Sequence, residues 1–212
     1  MEGTKGDTAR FLFRMEGYNF SVLEFEGEET LSGIFHFRIR LKANDARTDP
    51  VDLVKKRAKL VFLTKDNKER EIQGHIGRAT IEQTGKYYAV YSVDLYSRLW
   101  LLGFRKNSRI YQKQSVPDII IDVLKRADFI KNVGFRMLLS DNYPQREYCV
   151  QYRETDYQFI CRLASEEGIF FLSRQDLGHE QLIFGDDLAA APDCFPESKA
   201  PFQYKTGQLH AG

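Results

Sequence analysis

Cysteine is scarce in this sequence and badly placed for chemistry. Cys149, Cys161 and Cys194 are an odd number without Cys-x-x-Cys spacing, and the first two fall on apolar faces of regular elements. Reduced core thiols are the expected state, rather than a disulfide framework or a metal site. Histidine is equally thin: His36, His75, His179 and His210 stand alone along the chain. Gly-x-Ser-x-Gly, His-Glu-x-x-His and a phosphate-cradling glycine loop are all missing, which removes the local signatures of serine hydrolases, zinc peptidases and nucleotide binders. No catalytic residue, cofactor or metal site is expected.

An excess of one charge is missing as well. Lys and Arg number 31 against 30 Asp and Glu, for a net charge of +1, whereas binding a phosphate backbone or an anionic membrane needs concentrated positive charge. Nucleic acid is therefore not an expected partner. Long hydrophobic runs are also lacking, and the N-terminal MEGTKGDTAR has no apolar stretch of the kind a signal peptide carries. The expectation is a chain made in the cytoplasm with no membrane segment, in which the Asn19-Phe20-Ser21 sequon carries no meaning.

What is present, at 212 residues, is enough chain for one large or two small domains. The first hundred residues read almost wholly as strands. Phe11 to Arg14 and Tyr18 to Glu26 are short candidates, and in the next strand Phe35, Phe37, Ile39 and Leu41 alternate with His36, Arg38, Arg40 and Lys42. That alternation gives one buried and one cationic face. The cationic row fits a solvated surface or a face that meets a partner subunit, and His36 within it takes no ligand role. Pro50 to Arg57 reads as a connector with a helical turn, Ala58 to Thr64 as a strand, and Asp66-Asn67 as a hairpin corner. The returning strand changes phase across Gly74 and Gly77, the mark of a bulge or sharp bend. After Thr84-Gly85-Lys86, Tyr87, Ala89, Tyr91, Val93 and Leu95 line one face of a long strand. Strands joined by tight turns, with bends, predict a closed or half-closed barrel.

From Trp100 the pattern changes, and Trp100 itself, among leucines, is expected in the core. Ser115 caps a helix that has Pro117 early and Asp118 at its third position, with Ile119, Ile120, Val123, Leu124 and Ala127 as the apolar face. Phe135 to Leu139 is a strand candidate, and Gly178 closes a hairpin whose return is Gln181 to Phe184. The fold class this predicts is α+β and mostly β. A β-barrel domain is expected over residues 1–100 and an α+β domain, with two helices packed on strands, over 101–190. Residues 191–212, with Pro192, Pro196 and Pro201, read as a connector with one strand at Phe202 to Lys205.

The most organised stretch is Tyr143 to Leu172. Tyr143-Pro144 forces an extended entry, and Glu147 to Arg153 follows as a strand with Tyr148, Val150 and Tyr152 on one face. Thr155-Asp156-Tyr157-Gln158 has capping-box spacing. Tyr157, Ile160, Cys161 and Ala164 then recur at helical spacing with Phe159 and Leu163 beside them, and Gly168 ends the helix. Glu166-Glu167 is the best carboxylate pair, yet adjacent helical residues point about a hundred degrees apart and share no substrate bond easily. Two acids at a helix C-terminus also oppose its dipole. A solvated or structurally paired cluster is expected, with Arg146, Arg153 or Arg174 as the basic partner.

The run YPQREYCVQYRETDYQFICRLASEEGI resembles the signature segment of VgrG, the trimeric spike of bacterial type VI secretion, related to the central hub of contractile phage baseplates. SRLWLLGFRKNSRIYQKQSVPDIIIDVLKR and the hairpin around HEQLIFGDD resemble the family too, colinear from about Phe11 to Asp187. The signature residues are Tyr143, Pro144, Arg146, Glu147, Tyr148, Gln151, Tyr152, Arg153, Glu154, Thr155, Asp156, Phe159, Glu166, Glu167 and Gly168, for which the resemblance implies structural roles. It further implies a homotrimer in the full-length protein, seated on an Hcp-type tube, contacting baseplate proteins, delivering effector proteins and itself secreted or injected into target cells. A phage or extracellular contractile-system baseplate hub is the close alternative. A cell-wall hydrolase is a distant one, against which the missing catalytic groups argue. The family's second barrel, oligosaccharide-binding-type domain and needle have no match here, so the chain reads as a fragment or truncated gene product, with residues 191–212 leading into the missing barrel.

Overall fold

The alternating strands close on themselves. β1 (Phe11–Met15), β2 (Tyr18–Glu28), β3 (His36–Ala43), β4 (Arg57–Leu63), β5 (Glu69–Thr84) and β6 (Ala89–Tyr96) pair antiparallel in the ring order β1-β2-β3-β6-β5-β4, and β4 completes the barrel against β1. The computed structural model describes residues 11–44, 48–63, 69–175 and 177–191; the Asp66-Asn67 corner, Cys194, His210 and the strand at Phe202 to Lys205 lie outside them. Closure removes the unpaired strand edges of an open sheet. A short helix, α1 (Pro50–Leu53), links β3 to β4, with Asp49 Oδ1 accepting from the Val51 amide at 2.9 Å.

The barrel interior is filled by every second side chain, as the pleat dictates. Ile39 and Leu41, Leu60, Ile72 and Ile76, and Tyr91, Val93 and Leu95 are all fully buried. The phase change on β5 is real: register slips between Ile76 and Arg78 and again between Ile81 and Gln83. Gly74 permits the bend, because a Cβ there would lie 2.3 Å from the Tyr96 carbonyl oxygen. The β6 face starts at Ala89 rather than Tyr87, which precedes the strand and is exposed.

The cationic row on β3 is neither bare nor simply solvated. Arg38 reaches Glu26 and Asp94 at 3.3 Å each, Arg40 reaches Glu24 at 2.9 Å and Glu82 at 2.7 Å, and His36 Nε2 lies 2.8 Å from Asp94 Oδ1. Arg38 meets acids on the strands either side, β2 and β6, and Arg40 meets acids on β2 and β5, cross-strand pairing that stabilises a sheet face.

Beyond Ser97 a 3-10 segment, Arg98–Phe104, leaves the barrel. There follow β7 (Lys106–Tyr111), α2 (Val116–Lys125), β8 (Phe135–Leu138), β9 (Cys149–Thr155), α3 (Asp156–Glu166), β10 (Phe170–Arg174) and β11 (Gln181–Gly185). β10-β11-β8 form one sheet, with β11 and β8 parallel, and β7 pairs antiparallel with β9 in a two-stranded ribbon. A second hydrophobic cluster centres here on Ile119, Ile120, Val123, Phe135, Phe159, Leu163 and Phe184. Cys149 is buried in it, Cys161 packs against it, and both are free thiols.

Two expectations are corrected. β7 had no sequence forecast, and its pairing with β9 delays the latter's start to Cys149, because Tyr111 opposite Cys149 is the last rung. Trp100 is only half-buried. The 3-10 turn sends Leu99 and Leu102 inward, three residues apart, so Trp100 falls outside. There it stacks on Tyr96 (centroids 4.9 Å, planes 7° apart), which stacks on His36 (4.5 Å, 9°). Gly77 makes room, since a Cβ would sit 2.6 Å from the Tyr96 ring and 2.9 Å from Trp100. The barrel and the α+β unit join through backbone and side-chain bonds: Ser32 N to Phe171 O at 2.7 Å, Arg98 N to Glu180 Oε2 at 2.8 Å, and a reciprocal pair between Gln73 and Gln175 at 3.2 and 3.3 Å.

Candidate functional site

The signature residues gather around the two ends of α3. At its start, Thr155 Oγ1 accepts from Gln158 N at 3.1 Å while Gln158 Oε1 accepts from Thr155 N at 3.0 Å, the capping box its spacing predicts. Asp156, the first helical residue, is fully buried. A carboxylate in that place is favoured by the helix dipole but must be neutralised by donors. Arg105 Nε donates to Oδ2 at 3.0 Å, and Asn107 Nδ2 and Gln151 Nε2 donate to Oδ1 at 2.9 and 2.8 Å. Arg109 Nη1 stands further off at 3.4 Å, and the Asp156 amide donates to Arg105 O at 2.8 Å. One buried carboxylate thus pins β7, β9 and α3 together.

At the far end, Arg146 donates to Glu166 at 2.7 Å and to Glu167 at 2.5 Å, and Arg162 donates to Glu166 at 3.0 Å and Glu154 at 2.7 Å. Arg162 Nη2 also reaches Val150 O at 2.9 Å. The hydrogen bond from Arg146 holds the Glu166 carboxyl below its ordinary range, and the same bond raises the Arg146 guanidinium. Acids that oppose the helix dipole are therefore compensated by two arginines. Gly168 leaves the helix at φ +70°, a conformation glycine adopts without strain.

The remaining signature residues anchor or face outward. Tyr143 OH donates to Asp186 Oδ2 at 2.9 Å, and that carboxylate also accepts from the Ser140 and Asp141 amides, which fixes the segment before Pro144 to the end of β11. Phe159 stacks on Tyr111 with centroids 5.6 Å apart. Tyr148 and Tyr152 project from the outer face of the β7–β9 ribbon beside Ile110, all three more than half exposed. Arg153 does not join the glutamate cluster; its guanidinium lies 5.4 Å from the Tyr152 ring centroid. Glu147 lies just ahead of β9, outside the ladder.

Arg105, Asn107, Arg109 and Arg162 are the partners that the sequence reading missed. Their signal is present but weak: Arg105, Asn107 and Arg109 alternate at strand spacing, which aims three polar side chains at one face. The carboxylates of both clusters are engaged by guanidinium or amide donors. Among the described residues, no three His, Cys, Asp or Glu side chains are placed to hold a metal ion.

A closed antiparallel barrel joined to an α+β unit, with its charged residues spent on locking elements together, defines a structural module of the contractile-tail hub type. The family model described as phage tail baseplate hub (GPD) matches residues 28–211, and the chain belongs to that family. It is similar to the type VI secretion system spike protein VgrG4b of Pseudomonas aeruginosa PAO1, 34% identical over 175 residues covering 82% of this chain and 21% of the relative. It is likewise similar to the spike protein VgrG3 of Vibrio cholerae serotype O1, 33% identical over 187 residues, covering 84% of this chain and 18% of the relative. Among solved structures, the E. coli c3393 protein, a component of the type VI secretion system with structural similarity to the T4 tail proteins gp27 and gp5, matches at TM-score 0.77 and 30% identity over 84% of this chain and 50% of its own. The chain spans about a fifth of the length of the curated spike proteins it matches. Within that length it is a module of the tail baseplate hub family.

Proposed function

We propose that this chain is the first-barrel hub segment of a type VI secretion spike, which acts by assembly and carries no catalytic centre of its own. The full-length protein forms a homotrimer, sits on an Hcp-type tube, contacts baseplate proteins and carries effector proteins. It is made in the cytoplasm and leaves with the injected tip. The observation that carries this reading is the closed six-stranded barrel followed by an α+β unit, in a chain a third identical to type VI spike proteins. Two separate hydrophobic clusters favour a barrel domain over residues 1–100 and an α+β domain over 101–190. The signature residues serve as a lock between β7, β9 and α3 rather than as a substrate site. Among the described residues no helix is long and apolar enough to cross a membrane.

Deleting the gene in its host and measuring tube protein in the culture medium tests the proposal. Release should stop and return with the full gene. Unchanged release, with the gene needed instead for infectious phage particles, would reject the type VI reading in favour of a phage baseplate hub.

A further inference from the structure

Where the barrel meets the α+β unit lies a cavity of about 190 Å³, distinct from the signature clusters. That is the liquid share of about six waters. Arg57 and His75, which pair across β4 and β5, line it with Gln73 from the barrel; Arg98 lines it from the start of the 3-10 segment, and His179 and Glu180 from the β10–β11 hairpin. Three of these residues hold fully buried side-chain atoms with no hydrogen-bond partner: Gln73 Oε1, His75 Nδ1 and His179 Nε2. Buried polar atoms are almost always satisfied, and a cluster of orphans around one cavity marks a place where something else supplies the bonds.

The charge around the cavity says what that is. Burial, then Arg57 and Arg98, push the His75 imidazole down to about 4, and Arg98 is itself lowered by burial and by Arg57. Arg98 is partly engaged, with Nη2 donating to Asp128 O at 2.9 Å and its guanidinium 4.3 Å from the Phe129 ring centroid, while the exposed Arg57 adds a second positive charge beside it and the His75 ring. Glu180 is the one carboxyl in the lining, but its oxygens already accept from Arg98 N at 2.8 Å and Ser173 Oγ at 2.6 Å. Burial pushes it up to about 7, so its charge is half withdrawn at neutral pH. Each imidazole can present N–H at its free nitrogen by choice of tautomer.

We infer that this cavity is a binding site for a small tetrahedral oxyanion of the phosphate or sulfate class, held by Arg57, Arg98, His75 and His179, that fastens the barrel to the α+β unit. The anion neutralises the two guanidiniums and receives bonds from the two free imidazole nitrogens. Uptake of a proton from solvent by His75 or Glu180 on binding keeps the site near neutrality.

The test uses the whole chain at pH 7, titrated with inorganic phosphate at constant ionic strength against chloride, with the histidine ring nitrogens followed by NMR. His75 and His179 should shift together along one saturable curve while His36, held by Asp94, does not move. Sulfate should give the same curve. Arg57→Gln sits on an exposed position, leaves the core intact and should weaken the affinity by about tenfold or more, as loss of a charge-assisted bond demands. The inference is overturned by any of three results: no saturable shift up to tens of millimolar phosphate, equal affinity in Arg57→Gln, or saturation by acetate but not phosphate.

Discussion

Asp156→Asn removes one charge and almost no volume from the middle of the α+β unit. Oδ1 accepts from Asn107 and Gln151, and Oδ2 from Arg105. An amide offers a single acceptor oxygen. With that oxygen turned to Asn107 and Gln151, its NH2 faces Arg105 Nε, donor against donor. Arg105 is 37% exposed, so water recovers only part of the loss. A charge-assisted hydrogen bond lost in this way costs about 2–3 kcal/mol. Removing the carboxylate from the first position of α3 adds up to about 1 kcal/mol. Unfolding free energy should fall by about 3 kcal/mol and Tm by about 6–12 °C for a chain of this size. Asp156→Ala leaves every donor unmatched and should cost about 4–5 kcal/mol. Urea titration followed by far-UV circular dichroism measures both. Arg105→Met combined with Asp156→Asn should cost less than the separate losses together, by about 1 kcal/mol or more. Full additivity, or a loss under about 1 kcal/mol for Asp156→Asn alone, would show that the carboxylate does not hold β7 to α3.

The seam gives two opposed pH dependences. Glu180, raised from 4.5 to about 7, contributes stability that is fully present below about 4.5 and lost as pH rises through 7. Glu180→Gln should therefore gain on the wild type between pH 4 and pH 8 by up to about 3 kcal/mol, and a parallel pair of stability curves would refute this. His75 is lowered from 6.5 to about 4, so its contribution is present above 6.5 and lost as pH falls through 4; His75→Gln should flatten the acid limb of the stability curve, and an unchanged limb would count against a buried neutral ring. Gly77→Ala drives a methyl into the Tyr96 ring and Trp100. It should cost about 1–3 kcal/mol and red-shift the emission of the single tryptophan, whereas unchanged emission would mean that the stack does not form in solution. Burial raises the Cys161 thiol, so alkylation should be slow in the native state and reductant should leave Tm unchanged; rapid labelling of Cys161 would contradict the packing.

Local rules carried the sequence reading a long way. Period-two alternation located β3, β5 and β6 and the phase slip on β5, because the pleat forces successive side chains to opposite faces. The capping box of α3 and the Ser115 cap of α2 were legible for the same reason: each is a bond between residues three apart. The recognisable signature run supplied the family. The acid pair at the end of α3 announced its need for a cation, since two carboxylates at a helix C-terminus oppose the dipole wherever the helix sits.

Distance in the chain is what hid the rest. β7 drew no forecast because Asn107 and Arg109 look like surface residues until Asp156, some fifty positions later, gives their donors a buried acceptor. Trp100 looked like core because its neighbours are leucines, but a 3-10 turn sends Leu99 and Leu102 inward and leaves it to stack on Tyr96 and His36. The sequence by itself determined which segments extend, which coil, where helices begin and to which family the chain belongs, all of it encoded within a few residues. Only the tertiary structure decided that β4 closes on β1, that Arg146 rather than Arg153 meets Glu166 and Glu167, and that the seam gathers unpartnered histidine and glutamine atoms around a cavity. Those outcomes depend on which distant groups the packing of two hydrophobic clusters brings within hydrogen-bond reach, and no local pattern encodes that distance.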